Sequence, residues 1–454
     1  MTELGVPGIR SALSRVVSGG PCRTSASRMC SPEKPRGLRT ETPSAPRRAE
    51  RAALMDMENG WNIVEYRGRD GLLQLETDWR RLCAAMSTRT SYHLFEAHLA
   101  NVDHLMKAPD ELRCLALQDR REVRAICLLQ AKPNRILGPP VQVWQLAIPP
   151  LMRLRDIICP EDEARRVFIP VLADYLRKRP EGCRLLDLGP LPERSVLWEG
   201  LRTLGPGRFA TEKVEGMHVI DCSRPYEELV AERSRSFRRD LRRHRKRLDA
   251  LPDVRFVTVT DDADLAVAYE TLLDVESSGW KRAAGSSIRS CRGWPAFFRS
   301  LILLPEGGDR CEINELRADG RCIASQLCMR MGAEYVSLKI CYDEDYARLA
   351  PGLLLLEHSI QRCCQDPDVG RTNWLNESAW QRPWRPDSVA MQHTYVAIGR
   401  LSAVPLVALL RLRLGYARRL ARRIGSERKR LESWWAGRMA ALPGTRFRLA
   451  RRTR

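Results

Sequence analysis

From Trp61 onward the chain switches between a two-residue and a three-to-four-residue apolar period. WNIVEY (61–66) is β-branched and aromatic and predicts a strand. Leu73, Leu75, Trp79, Leu82 and Met86 predict an amphipathic helix over 72–88, and a second is expected over 94–105. LRCLALQ (112–118) and VRAICLLQA (123–131) flank a polar turn and read as a β-hairpin. VQVWQLAI (141–148) continues the sheet. A helix over 162–178, a strand RLLDLGPL (184–191), a helix around 194–204 and a strand EGMHVIDC (215–222) follow.

The second half repeats this order. The pattern predicts a helix over 237–251, a strand over 254–260, a helix over 262–277 and another over 297–304. CEINELR (311–317) and CIASQLCMRM (322–331) form a second hairpin about a turn at 318–320. EYVSLKICYD (334–343) is the next strand, 352–365 a helix and TNWLNE (372–377) a strand. Asp119 of the first hairpin lines up with Asp319 of the second. The Trp144 strand lines up with the Leu338 strand, and the Asp187 strand with the Asn373 strand. Two tandem α/β units joined near 222–236 account for this order.

Composition adjusts the picture at the ends. The 454 residues suggest two or three domains, and 44% apolar content suffices for real cores. The net charge is +20, but roughly +14 of it falls in 400–454 and about +4 in 1–60. The centre is therefore near neutral, which argues against a core built to bind nucleic acid. Residues 1–57 are rich in Arg, Ser, Pro and Gly. They read as disorder or as an over-extended start before Met55 or Met57, with an organelle transit peptide as the rival. The fifteen cysteines follow no framework, and Cys322, Cys328 and Cys341 lie in apolar strands. Reduced thiols in a cytoplasmic protein are expected. The vicinal pair Cys363–Cys364 is assigned to a helix surface. No stretch reaches the roughly 18 apolar residues of a membrane span.

Candidate chemistry gathers in the second half. Between Ser337 and Ile360 an apolar strand enters an acidic-aromatic loop, then Pro351-Gly352, then a leucine-rich helix. A helix start after a Gly turn leaves backbone N–H groups free for a phosphate. Lys339, Tyr342, Asp343 and Tyr346 sit where that strand ends, the side of an open sheet where ligands gather. Glu276, Trp280 and Lys281 close a predicted helix, and an apolar setting tunes a Glu for proton transfer. Nine Lys/Arg against Asp240 in 233–247 surround a stripe of Phe237, Leu241 and Leu248. Arg238, Arg242 and Arg245 are expected on one anion-facing side. Each group also has a plain structural reading: a helix-end ion pair, a packed loop, a solvated basic helix.

Four ordered pieces carry a family resemblance: SRSFRRDLRRHRKRL (234–248), ESSGWK (276–281) with Gly285 and Ser286, ELRADGRCIASQLCM (315–329), and the segment with Lys339, Tyr342, Asp343, Tyr346, Ala347, Pro351 and Gly352. This order resembles the FemAB-like and CelD-like branch of the GNAT acyltransferases over about 230–390. The resemblance implies an α/β (α+β) fold of two tandem GNAT-like mixed-sheet domains. They would be a degenerate lobe at 58–225 and a CelD-like acetyltransferase domain at 226–397, followed by a basic amphipathic tail at 398–454.

The resemblance also implies acyl-CoA, typically acetyl-CoA, as co-substrate. Glu276, Lys339, Tyr342 and Asp343 become catalytic candidates, with Tyr342 protonating the leaving thiolate. Tyr346, Arg348, Pro351 and Gly352 would hold the cofactor; Arg238, Arg242, Trp280, Lys281 and Arg382 would hold the substrate. The glycine-rich acyl-CoA loop of typical GNAT enzymes is absent, and Arg382 stands where relatives carry a Lys; an Arg is a poor proton shuttle.

Three readings remain open. The first is acyl transfer to an amine or hydroxyl of a sugar, polysaccharide or lipid-linked precursor. The second is FemAB-like transfer from aminoacyl-tRNA. The third is an inactive accessory protein of an envelope polysaccharide system. The tail's Arg, Leu and Trp pattern suits an anionic membrane surface. No metal-ligand spacing, GxSxG elbow or P-loop occurs, so metal, hydrolase and NTPase chemistry are not expected.

Overall fold

The computed structural model describes residues 60–398, apart from 88, 135–140, 150–151, 153–154, 161–162, 180–182, 206, 279–284, 286 and 304–309, together with 405–415. The expected N-terminal disorder and most of the basic tail lie outside these residues. The strands are β1 (Trp61–Arg67), β2 (Arg113–Asp119), β3 (Glu122–Asn134), β4 (Val141–Leu146), β5 (Leu185–Pro192), β6 (Phe209–Asp221), β7 (Arg255–Val259), β8 (Arg310–Ala318), β9 (Arg321–Met331), β10 (Glu334–Tyr342), β11 (Arg371–Asn373) and β12 (Asp387–Ala397). They form one mixed sheet in the order β1-β2-β3-β4-β5-β12-β6-β11-β10-β9-β8-β7.

Read inward from either edge, that order is the same. Each half runs as an antiparallel meander of four strands, then a parallel step (β4 to β5, β10 to β11), then an antiparallel partner. The partner is exchanged. β6, from the first half of the chain, lies against β11, while β12, from the end of the second, lies against β5. The two exchanged strands pair with each other from Asp387 opposite Val219 to Val396 opposite Phe209.

The repeat extends to single residues. Both hairpins turn on two residues with positive φ, Arg120 and Arg121 (46° and 74°) and Asp319 and Gly320 (51° and 69°). Such tight turns match the twist of paired strands. The turns place Arg120, not Asp119, opposite Asp319, so the register expected from sequence is one residue off. In β5, Asp187 accepts from the N–H of Gly189 (φ 70°) at 2.8 Å; in β11, Asn373 accepts from the N–H of Leu375 (φ 58°) at 2.8 Å.

Helices α1 (Gly68–Gln74), α2 (Glu76–Ala84), α3 (Phe95–His104), α8 (Asp262–Ser278) and α9 (Trp294–Ile302) pack on one face of the sheet. Helices α4 (Ala164–Arg177), α5 (Leu197–Leu204), α6 (Tyr226–Ala231), α7 (Arg235–Leu248) and α10 (Pro351–Gln365) pack on the other. Residues 405–415 form α11, laid on the first face by Val407, Leu410 and Leu414.

Four expectations need correction. The helix over 72–88 breaks at Leu75 into α1 and α2. The strand placed over 372–377 ends at Asn373, because Leu375 takes a left-handed φ. β6 begins at Phe209 rather than 215. Cys363 is buried in the core beneath α10 instead of lying on a helix surface. The thirteen cysteines among the described residues are all free.

Candidate active site

The site is built where β10 leaves β11. Their parallel pairing covers only Glu334–Val336 against Arg371–Asn373, while β10 continues to Tyr342. A bulge at Leu338 shifts its register against β9 between Ser337 and Lys339. From Ser337 to Tyr342, β10 thus pairs with β9 alone among the described residues. A bulge re-aims side chains and commonly marks a functional strand.

Lys339, next to the bulge, points to the end of α8. Its Nζ lies 3.1 Å from Glu276 Oε1, and the other carboxylate oxygen accepts from the Ile288 N–H at 2.7 Å. Glu276 is buried and Lys339 is about a quarter exposed. The carboxylate is held by a cation and a backbone donor, which offset its desolvation.

Tyr342 ends β10 with its ring over Gly352, and a Cβ at Gly352 would stand 3.2 Å from Tyr342 Cδ1. Asp343 then caps a 3-10 turn, Glu344–Leu349, accepting from the Asp345 N–H at 3.1 Å. Its other oxygen takes Arg321 Nη2 at 2.6 Å, and the same guanidinium lies over the Tyr346 ring. Asp343, Arg321 and Tyr346 therefore hold the turn together. Asp343, expected among the catalytic residues, thus has a structural task in this turn. Arg321 was not foreseen, because a hairpin arginine carries no local signal.

The turn into α10 is made by Ala350 (φ 54°), not by Gly352, which lies inside the helix after Pro351. Among the described residues no side chain caps α10, and its first turn carries no acidic residue, so its N-terminal N–H groups face outward with the positive end of the helix dipole. The Arg348 side chain is exposed just before it.

The other candidates scatter. α7 is capped by Ser234, which accepts from the Phe237 N–H, and buries Phe237, Leu241 and Leu248. Arg242 and Arg245 are exposed and Arg238 is half-buried, but the Arg245 guanidinium is already engaged. It bonds the buried Glu357 of α10 and, at 3.1 Å, the Tyr226 hydroxyl. One member of the expected three-arginine face is therefore tied to Glu357, although its side chain stays partly exposed. Arg382 is exposed on the 3-10 turn Ala379–Trp384, which follows β11. Trp280, Lys281 and Ser286 lie outside the described residues.

The first half's counterpart is closed. β4 has no bulge, and its pairing with β5 covers only Trp144 and Gln145. The chain after β4 returns across the gap: Ile158 bridges Ile126, and the Arg155 side chain lies on Gly189, where any Cβ would overlap it. At the mouth, Asp156 accepts from Ser195 Oγ at 3.0 Å, and burial pushes its pKa up to about 7. It lines a cavity of about 420 Å³ between the halves, with Arg165, Arg194, Arg371, Asn373 and Ser388. That cavity lies at the end of β5 and the starts of β10 and β11, the edge opposite Tyr342. Among the described residues, no group of three or more His, Cys, Asp or Glu is placed to hold a metal ion.

Residues 235–375 match the family described as an acetyltransferase (GNAT) domain. Among curated proteins no sequence matches the chain. Solved structures with similar folds include FemX (12% identity, 73% of this chain and 98% of that one, TM-score 0.48). L-PGS from Bacillus licheniformis is another (11% identity, 74% and 96%, TM-score 0.45). A tandem GNAT protein from the clavulanic acid biosynthesis pathway is a third (13% identity, 75% and 99%, TM-score 0.37). The family match falls on the half with the open corner, and the mirrored strand order gives the other half the same plan. The fold is a tandem GNAT-like mixed sheet, and the residues that match the acetyltransferase (GNAT) domain family lie in its second half.

Proposed function

We propose that the chain is an acyltransferase of the CelD-like and FemAB-like branch, with a degenerate lobe at 58–225 and an acetyltransferase domain at 226–397. It moves an acyl group from acyl-CoA to an amine or hydroxyl of a sugar, polysaccharide or lipid-linked precursor. One observation carries the reading: β10 offers an unpaired strand edge that ends at the uncapped start of α10, while the equivalent gap in the first half is filled by Arg155. Unpaired N–H and C=O groups suit the amides of a pantetheine arm, and the helix start suits a pyrophosphate. Pro351, Gly352 and Arg348 face the phosphates, and Tyr346 supports the turn that presents them.

The acceptor nitrogen or oxygen attacks the thioester carbonyl, forming the C–N or C–O bond as the C–S bond breaks. Glu276, held by Lys339, receives the acceptor's proton, directly or through one water. The Tyr342 hydroxyl gives its proton to the departing thiolate. The first lobe closes the cleft and binds no acyl-CoA of its own.

Calorimetric titration with acetyl-CoA and longer acyl-CoAs tests the reading. Saturable binding at one site per chain is expected; a chain that takes up no thioester at all overturns transfer from acyl-CoA. A second reading, transfer from aminoacyl-tRNA, draws on the exposed Arg235, Arg239, Arg242, Arg243, Lys246 and Arg247 of α7. Salt-sensitive tRNA binding that disappears on neutralising Arg239, Arg242 and Arg243 would favour it.

A further inference from the structure

α11 is apolar on both sides. Its inner stripe, Val407, Leu410 and Leu414, is buried against Leu185, Tyr395 and Ala397. Its outer side carries Leu409 and Leu412, 52% and 73% exposed. Arg411 and Arg413 are exposed beside them. The helix is fixed in place, since Arg411 Nη2 donates to the Phe209 carbonyl at 2.9 Å. A helix docked by one stripe needs polar residues on its other side. Two outward leucines on an eleven-residue helix gain nothing from the body of the protein.

The sequence beyond α11 supplies the second observation. Residues 416–454 hold thirteen Lys/Arg against Glu427 and Glu432, with Trp434 and Trp435 among them. We propose that the outward face of α11 docks the protein on an anionic lipid bilayer. The leucines enter the headgroup boundary while Arg413 reaches back to lipid phosphates. The net charge of the following segment supplies the long-range attraction. Nucleic acid would meet the same charge but leaves Leu409 and Leu412 unexplained. Among the described residues no helix is long and apolar enough to cross a membrane. The proposal does not depend on acyl transfer, and its readout involves no thioester.

Flotation of the full chain with phosphatidylcholine vesicles, and with vesicles of about 7:3 phosphatidylcholine to phosphatidylglycerol, is the test. The protein is expected to float with the anionic vesicles only and to be released near 0.5 M salt. Leu409→Ser with Leu412→Ser should raise the lipid concentration for half-binding about tenfold. Its thermal midpoint should not move, because neither residue touches the core. Arg418→Ser with Arg419→Ser should weaken flotation on anionic vesicles independently. Equal flotation with both vesicles, or none, overturns the proposal. So does a serine pair that lowers the thermal midpoint but leaves flotation unchanged, which would assign the face to the chain's own later residues. Retention on tRNA without vesicle binding overturns it in favour of nucleic acid.

Discussion

Glu276 gives up its water on folding, and Lys339 and the Ile288 N–H are among the groups that hold it in return. Removing one partner of such a pair is more damaging than removing both. Lys339→Met should cost about 3 kcal/mol in denaturant unfolding, and the double variant with Glu276→Gln should recover part of that loss. Glu276→Gln alone keeps an acceptor for Ile288. It should lower kcat by about 10² to 10⁴ while leaving the KM for acyl-CoA unchanged, if the carboxylate takes the acceptor's proton. A fall in stability without that kinetic split would make the pair structural only.

Asp156 shows the opposite arrangement: burial, its largest influence, raises its pKa to about 7 against the bonds from Ile157 and Ser195 and the charge of Arg165. Between pH 4 and 7 the folded state then holds a proton the unfolded state has lost, so this group's share of stability falls as pH rises. Asp156→Asn removes that penalty. Its advantage over the wild type in unfolding experiments should grow from pH 4 to 7 and stay level above. The buried His93 and His98, pushed down to about 4 chiefly by desolvation, act in the other direction and are lost from neither protein. The sequence pointed to Glu276 and Lys339 separately. It could not pair them, because they come from a helix and a strand 63 positions apart and meet only through the fold.

At the scale of elements, the β10–α10 corner was legible in outline. An apolar strand followed by Pro-Gly and a leucine helix has a strong periodic signature, and the helix begins within one residue of its expected start. The connection was not legible. Ala350 in a left-handed conformation has no compositional mark, so the turn was assigned to the glycine two residues on. Gly352 matters for another reason: it lets the Tyr342 ring lie against the helix start. Gly352→Val should push Tyr342 outward and weaken acetyl-CoA binding about tenfold or more, read by titration. Tyr342 is half-exposed already, so the thermal midpoint should drop little. β12 escaped notice for a related cause. Its buried Met391 and Tyr395 alternate with Gln392 and Thr394, yet the basic and Trp-rich residues before it hide the start of the pattern.

For the whole molecule, the exchange of β6 and β12 decides how the chain can fold. The sequence showed the repeat because the order and length of elements survive divergence. It could not show the exchange, since a strand's partner is not written in its own period. The exchange makes each half incomplete alone. Residues 60–222 keep β6 but lack β12, which lies between β5 and β6; residues 223–398 keep β12 but lack the neighbour of β11. Each fragment would expose long unpaired edges at what is the centre of the intact sheet, and such edges aggregate. Expressed singly, neither fragment should give a soluble protein with a cooperative melt. Expressed together as separate chains, they should copurify one to one, because β5–β12, β12–β6 and β6–β11 then all form between chains or are restored by them. The intact chain should melt in one transition in a calorimeter. A fragment with its own sharp transition, or two separated transitions in the full protein, would show that the lobes fold independently and that the exchanged strands merely tether them.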